Sequence, residues 1–269
     1  MNNFDLKESY KVEKDQIEFF EENGFVLLKQ VLNSDEIKTY REIIDNVVLE
    51  LTKHDKRTLA EKTPYEKEFL QCSHLWREFP EVKKITLSKR LGSIAQQLLK
   101  AKHVRLWHDQ ALYKVPGGVA TLPHQDVAYW PMIEKKAGTI WLALEEVTVE
   151  RGAMYFIPGS HRIENLFSYG NRIEDAIEGK SDLLGKANEV LETQPIGYNL
   201  KAGDATFHHA LTIHYTGDNV TDEIRKGMTV IYFADGVRFD GKSPAANHHC
   251  AAGSTDEMPI ATQWNPIII

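Results

Sequence analysis

The stretch Pro123-His124-Gln125-Asp126 decides how the rest of this chain is read. In an extended strand the side chains at i and i+2 share a face, so His124 and Asp126 project together while Gln125 points away. Some ninety residues downstream stands His214, and eleven residues beyond it Arg225. A second imidazole brought in from a distant strand would give three ligands on one side of a metal. Two histidines and a carboxylate with the remaining positions open is the facial arrangement that suits non-heme Fe(II).

Working outward, the first hundred residues follow a helical pattern. Residues 13–22 carry Ile17, Phe19 and Phe20 among charges, and Asn23-Gly24 supplies a helix stop. Phe25 to Leu28 reads as a short strand, Asn33-Ser34-Asp35-Glu36 as an N-cap cluster, and Ile37, Tyr40, Ile43, Ile44, Val47 and Val48 recur at helical spacing. A further helix spans 88–100. From residue 103 the period changes to that of strands: 103–115, 139–147, 154–157, and 205–214 paired with 228–233 around Thr216-Gly217-Asp218-Asn219. Helices followed by many short strands with Gly/Pro turns predict a mainly β chain with flanking helices, a double-layered jelly roll. The expected organisation is one domain over 1–269, with helical support to about 102, a jelly-roll core over about 103–235, an insertion at 163–195 and a C-terminal tail over 236–269.

Composition narrows the class. A formal charge of −7 and a pI near 5.9 leave no basic face for phosphates, so nucleic acid is not an expected partner. Two cysteines, Cys72 and Cys250, lie far apart without a C-x-x-C pairing, which reads as a reducing compartment. Residues 1–5 show no charged n-region leading into an apolar run, and no stretch reaches a membrane span of about eighteen apolar residues. The expectation is a cytoplasmic protein without membrane contact.

With these residues placed, the chain resembles the phytanoyl-CoA dioxygenase family of Fe(II)/2-oxoglutarate oxygenases. The resemblance runs through Ile17 to Val26, Pro123-His124-Gln125-Asp126, Phe156-Ile157-Pro158-Gly159-Ser160-His161, Gly203-Asp204, His214 and the step to Arg225. It implies a double-stranded β-helix (a cupin-like jelly roll) with His124, Asp126 and His214 as iron ligands. It also implies Arg225 as partner of the 2-oxoglutarate C5 carboxylate and Thr216 as a hydroxyl touching that carboxylate. Trp141 matches a tryptophan lining the co-substrate pocket, and Gln71 and Gln110 fall near further co-substrate contacts. The implied reaction consumes dioxygen, releases succinate and CO2, and oxidises an aliphatic C–H of a small-molecule substrate. Because Asp126 is present, the related halogenases, which replace this carboxylate by a small residue, are disfavoured.

The residues support this chemistry without the family name. A keto acid fills two metal positions, and its distal carboxylate suits a planar guanidinium that binds bidentately. A cupin-like metal hydrolase or isomerase, and a non-catalytic metal sensor, are the alternatives from other classes; neither gives Arg225 a purpose. His208 and His209 compete with His214 as third ligand. His161 reads as closing a turn, His248 and His249 as C-terminal surface residues, and Trp107 as core. Tyr129 and Trp130, three and four residues after Asp126, are candidates to line the substrate pocket. Lys135-Lys136 reads as a solvated loop tip. The 163–195 insertion and the tail from Gly236 are the expected specificity elements, since loops over a rigid barrel carry such variation.

Overall fold

A computed structural model describes residues 6–163 and 165–269; residues 1–5, read above for a leader, and position 164 of the insertion lie outside the described residues. Helix α1 (Lys14–Asn23) ends at Gly24, whose φ of 84° is left-handed. A Cβ there would also stand 2.4 Å from the His161 ring, so only glycine lets β1 (Phe25–Leu28) leave at this angle. Helix α2 (Ser34–Thr52) starts at Asn33, whose side chain accepts from Asp35 N and Glu36 N while Glu36 returns to Asn33 N.

The following elements are β2 (Leu70–Ser73), α3 (Leu75–Glu78), α4 (Pro80–Thr86), α5 (Lys89–Leu98), β3 (Val104–Lys114), β4 (Thr121–His124) and β5 (Ala137–Ala143). After β6 (Met154–Phe156) come α6 (Ile173–Ile177), α7 (Leu183–Asn188), β7 (Ile196–Gly197), β8 (Ala205–His209), β9 (His214–Thr216) and β10 (Arg225–Ala234). Among the described residues the strands form a six-stranded antiparallel sheet, β1-β8-β5-β10-β3-β2, facing a four-stranded one, β4-β9-β6-β7. This is the jelly roll that the strand pattern implied.

Alternation along the large sheet separates its faces. Ile140, Leu142, Met228, Val230 and Tyr232 point outward and join α2, α4 and α5 in one apolar cluster. Thr139, Trp141, Thr229 and Ile231 point inward and line a cavity between the sheets. A bulge sets Trp107 and His108 against the single step Ile231/Tyr232, which leaves both side chains on the inner side. Phe25 of the large sheet stacks on Phe156 of the small one at 4.6 Å and 12°, bridging the layers.

Two expectations are corrected. Residues 205–214 do not run as one strand paired with 228–233. The chain turns a corner at 210–213, where Thr212 Oγ1 donates to Gly24 O and Ile213 N to Ser160 Oγ. Strand β8 therefore pairs with β1 and β5, β9 passes into the small sheet, and β10 pairs with β3 and β5. The strand expected over 139–147 runs over 137–143, because Glu145 and Glu146 break the apolar run and bind Arg151 instead. The C-terminal tail also packs on the large sheet. Val104 N donates to Ile269 O and Ile268 N to Val104 O, pinning the last residues beside β3.

Candidate active site

His124 closes β4, Gln125 continues extended (φ −120°, ψ 121°), and Asp126 opens a 3₁₀ turn, Asp126–Tyr129. The i, i+2 relation survives this change of element because Gln125 keeps strand geometry. Gln125 points away as expected: Nε2 donates to Leu211 O, and Oε1 accepts from Asn171 Nδ2, both at 2.7 Å. His214 opens β9, which pairs with β4 so that His124 and His214 lie directly opposite. Donor atoms of His124, Asp126 and His214 all lie within 4.8 Å of one another.

The imidazoles are oriented by their own backbone. His124 Nδ1 lies 2.9 Å from Leu122 O, and His214 Nδ1 lies 3.0 Å from Thr212 O. A carbonyl only accepts, so each Nδ1 carries the proton and each Nε2 offers its lone pair. Those Nε2 atoms stand 3.7 and 3.6 Å from Asp126 Oδ1. A divalent ion with bonds near 2.1 Å needs ligand separations of about 3.0–3.4 Å, so a small inward shift closes the set. The other oxygen, Oδ2, accepts from Thr139 Oγ1 (2.6 Å) and His208 Nε2 (3.1 Å). His208 thus holds the carboxylate while His214 completes the triad.

Burial pushes the His214 and His124 imidazoles down, so both stay neutral and available to a cation. Burial alone would raise Asp126; the neighbouring imidazoles of His214, His208 and His124 outweigh it and hold the carboxyl well below its usual range.

Arg225 opens β10 and is 2 % exposed. Its Nη1 donates to Gly152 O (2.7 Å), its guanidinium carbon lies 5.3 Å from the centre of the Trp141 ring, and its Nε has no partner. Burial pushes it down to about 10. Gly227, two residues on, makes room for this stack, since a Cβ there would lie 2.2 Å from the Trp141 ring. Thr216 and Arg225 line the same cavity as the triad, which has a volume of about 420 Å³.

The remaining sequence candidates also reach this cavity. Gln71 Nε2 donates to Gln110 Oε1 at 2.6 Å on its β2–β3 side, and Tyr129 and Trp130 line it as well. Sequence reading missed Thr139 and Arg172, and it weighed His208 only as a ligand. The register of β5 with β8, which places Thr139 opposite His208, is the signal that would have joined those two. Two readings are corrected. His248 is not a surface residue: it lines the cavity and stacks on Trp107 at 4.9 Å. Lys135 is not a solvated tip, because its ammonium donates to Met132 O and lies 4.5 Å from the Phe167 ring centre.

The family model of phytanoyl-CoA dioxygenase (PhyH) matches residues 20–227, which takes in every one of these positions from Gln71 to Arg225. The chain belongs to the phytanoyl-CoA dioxygenase family. It is accordingly a 2-oxoglutarate-dependent non-heme iron dioxygenase. A phytanoyl-CoA dioxygenase of Arabidopsis thaliana is 24 % identical over 263 residues, covering 84 % of this chain and 90 % of that protein. The carbocyclase SnoK from nogalamycin biosynthesis superposes with a TM-score of 0.78 at 24 % identity, covering 96 % and 97 % of the two chains. The epimerase SnoN, solved with Fe3+ and alpha ketoglutarate, gives 0.73 at 22 %, over 95 % and 98 %. These two likenesses bear on the fold.

Proposed function

We propose that His124 Nε2, Asp126 Oδ1 and His214 Nε2 hold Fe(II), that Arg225 takes the C5 carboxylate of 2-oxoglutarate, and that the cavity presents an aliphatic C–H of a small molecule for oxidation. The observation that carries this is the buried Arg225, whose Nε lacks a partner in a cavity shared with the triad. A buried guanidinium left short of partners is costly, and a carboxylate is the group that satisfies it. The three donors fit Fe(II): two neutral imidazoles and a carboxylate on one side of an otherwise open space. When bound, iron supplies the oxygen activation coupled to decarboxylation of the keto acid to succinate and CO2.

The chain's own residues do the rest. Thr216 Oγ1 accepts from Thr121 N, which leaves its hydroxyl proton free for the co-substrate carboxylate. Trp141 walls that end, and Gln71 and Gln110 supply amide groups toward the co-substrate. Tyr129 and Trp130 form the substrate side, and the small sheet excludes water from the triad. A cavity of about 420 Å³ sits low in the roughly 300–1,000 Å³ range of drug-sized sites. It must also hold the co-substrate. The cations on its wall among the described residues are Arg172 and Arg225, too few to grip a CoA moiety as well. Both facts favour a compact substrate over an acyl-CoA.

The enzyme acts as one domain over 1–269, since the N-terminal helices and the C-terminal residues pack on the same large sheet. No helix among the described residues is long and apolar enough to cross a membrane, and both cysteines are unpaired, which supports a cytoplasmic setting. Anaerobic Fe(II) with 2-oxoglutarate should give the weak visible charge-transfer band of a keto acid chelated to iron, at one equivalent per chain. Asp126→Ala should abolish it. Folded wild-type protein that shows no band at saturating iron and keto acid would overturn the proposal.

A further inference from the structure

Beyond the triad, on the same inner wall, a second set of donors converges. We propose that His74, His249 and Cys250 form a second metal site, separate from the iron centre, that takes a thiophilic divalent cation, zinc foremost.

Their donor atoms lie within 4.8 Å of one another, and His74 Nδ1 is 3.9 Å from Cys250 Sγ. Tetrahedral zinc, with Zn–N of about 2.0–2.1 Å and Zn–S of about 2.3 Å, sets that separation near 3.6 Å. Closing on an ion therefore needs a shift of a few tenths of an ångström. The His74 and His249 rings are 4.0 Å apart at 78°, much as the triad rings of His124 and His214 are 4.2 Å apart at 53°. The two donor sets differ in softness. A thiolate with two imidazoles selects zinc or copper, whereas the triad has no sulfur.

The backbone holds His74 in a fixed orientation. His74 adopts φ 62°, ψ 31° at the entry to α3, a left-handed conformation for a non-glycine residue, fixed by His74 N donating to Asp109 O at 2.8 Å. Strain of this kind persists where the surroundings impose it. Arg77 Nη2 stands 3.4 Å from Cys250 Sγ, with its guanidinium 4.0 Å from the Trp264 ring centre, in place to hydrogen-bond a thiolate. His248 Nδ1 accepts from Cys250 N, which orders the turn carrying two of the ligands.

The site is too distant to share an ion pair with the iron. Thr139, which holds Asp126, sits in one row of the sheet with Ile231 and His108, so His108 is two strand spacings away, about 10 Å. His74 lies beyond His108, with the two rings 4.9 Å apart, so the separation exceeds the roughly 3.5–4 Å between ions of a two-metal centre. His74, with the neighbouring His248, also lines the cavity. A bound ion would staple the C-terminal segment to the start of α3.

Cobalt(II) tests this, because only a sulfur ligand gives an intense near-ultraviolet thiolate-to-cobalt band. The full chain carrying His124→Ala and His214→Ala, stripped with chelator and titrated anaerobically, should show that band at one equivalent. Zinc should displace the cobalt, and Cys250→Ser should remove the band. His249→Ala, at an exposed position, should weaken zinc by more than the roughly 10–100-fold that loss of an outer-shell partner costs. No band in folded protein at saturating cobalt, persistence of the band in Cys250→Ser, or unchanged zinc affinity in His249→Ala would each overturn the site. If Cys250→Ser fails to fold, His249→Ala decides. The iron–keto acid band involves none of these residues, so the two proposals fail separately.

Discussion

Replacing Arg225 by leucine separates two quantities that usually move together. In the ligand-free protein the guanidinium is buried, donates to Gly152 O, and leaves Nε unpartnered. A buried charge so poorly matched adds little to stability, and an apolar replacement of similar bulk is often neutral or stabilising. The melting temperature of Arg225→Leu without ligand should therefore stay within a few degrees of wild type. Binding should behave in the opposite way. Truncating one member of a buried, hydrogen-bonded charge pair costs about 2–5 kcal/mol, and at about 1.4 kcal/mol per decade the 2-oxoglutarate affinity should fall by roughly 30-fold to several thousand-fold. Iron affinity should change little, because no ligand is touched. The assay is anaerobic titration of the iron-loaded protein with 2-oxoglutarate and with pyruvate, which lacks the distal carboxylate. Pyruvate should lose little and so gain relative to 2-oxoglutarate. Equal losses for both keto acids, or a 2-oxoglutarate affinity within about threefold of wild type, would refute the role given to Arg225.

Thr139→Val removes one donor from Asp126 Oδ2 and should weaken Fe(II) by roughly 10–100-fold in a direct titration; an unchanged affinity would show that His208 alone holds the carboxylate. Tyr129 donates to Glu174 Oε2 and accepts from Ile173 N. A hydrogen bond to a charged group is worth about 1.5–3 kcal/mol, so Tyr129→Phe should speed amide exchange over residues 172–177 by about 10- to 150-fold, and equal protection in both proteins would argue against this latch. Burial pushes Glu68 up to about 7 from 4.5, with Oε2 unpartnered. A raised folded value means its contribution is complete below pH 4.5 and is lost as pH rises toward 7, up to about 3 kcal/mol. Glu68→Gln should flatten urea stability across that window, and an identical slope in the two proteins would refute it.

Much of this arrangement was legible in the sequence, for identifiable reasons. His124 and Asp126 sit at a spacing that strand geometry makes informative, and the α1 and α2 boundaries are written in Gly24 and Asn33. The corner at 210–213 was not legible, because Ala210-Leu211-Thr212-Ile213 continues an apolar pattern and carries no Gly or Pro. What turns the chain there is tertiary: Gly24 O and Ser160 Oγ, both far away in sequence. The same limit hid His248. Its neighbours Asn247 and His249 are exposed and read as tail, while its own burial comes from Trp107, which the β3 bulge turns inward. Thr139 and His208 are adjacent only through the register of two strands, a relation that a single sequence does not print.

The Phe25–Phe156 stack sits beside the triad, its Phe156 ring 5.4 Å from His208 and 6.2 Å from His214. Asp126 is tethered to the large sheet through Thr139 and His208, whereas His124 and His214 ride on the small sheet. With iron held as proposed, the metal centre would be a caliper, with one jaw on each layer and two aromatic rings as its gauge block. Affinity for the ion would then be a measure of how thick the sandwich is, in steps smaller than a methyl group. Drift in the core behind the site would retune the iron without altering any ligand, and an ion seated between the jaws would in turn fix the thickness to which the core must pack.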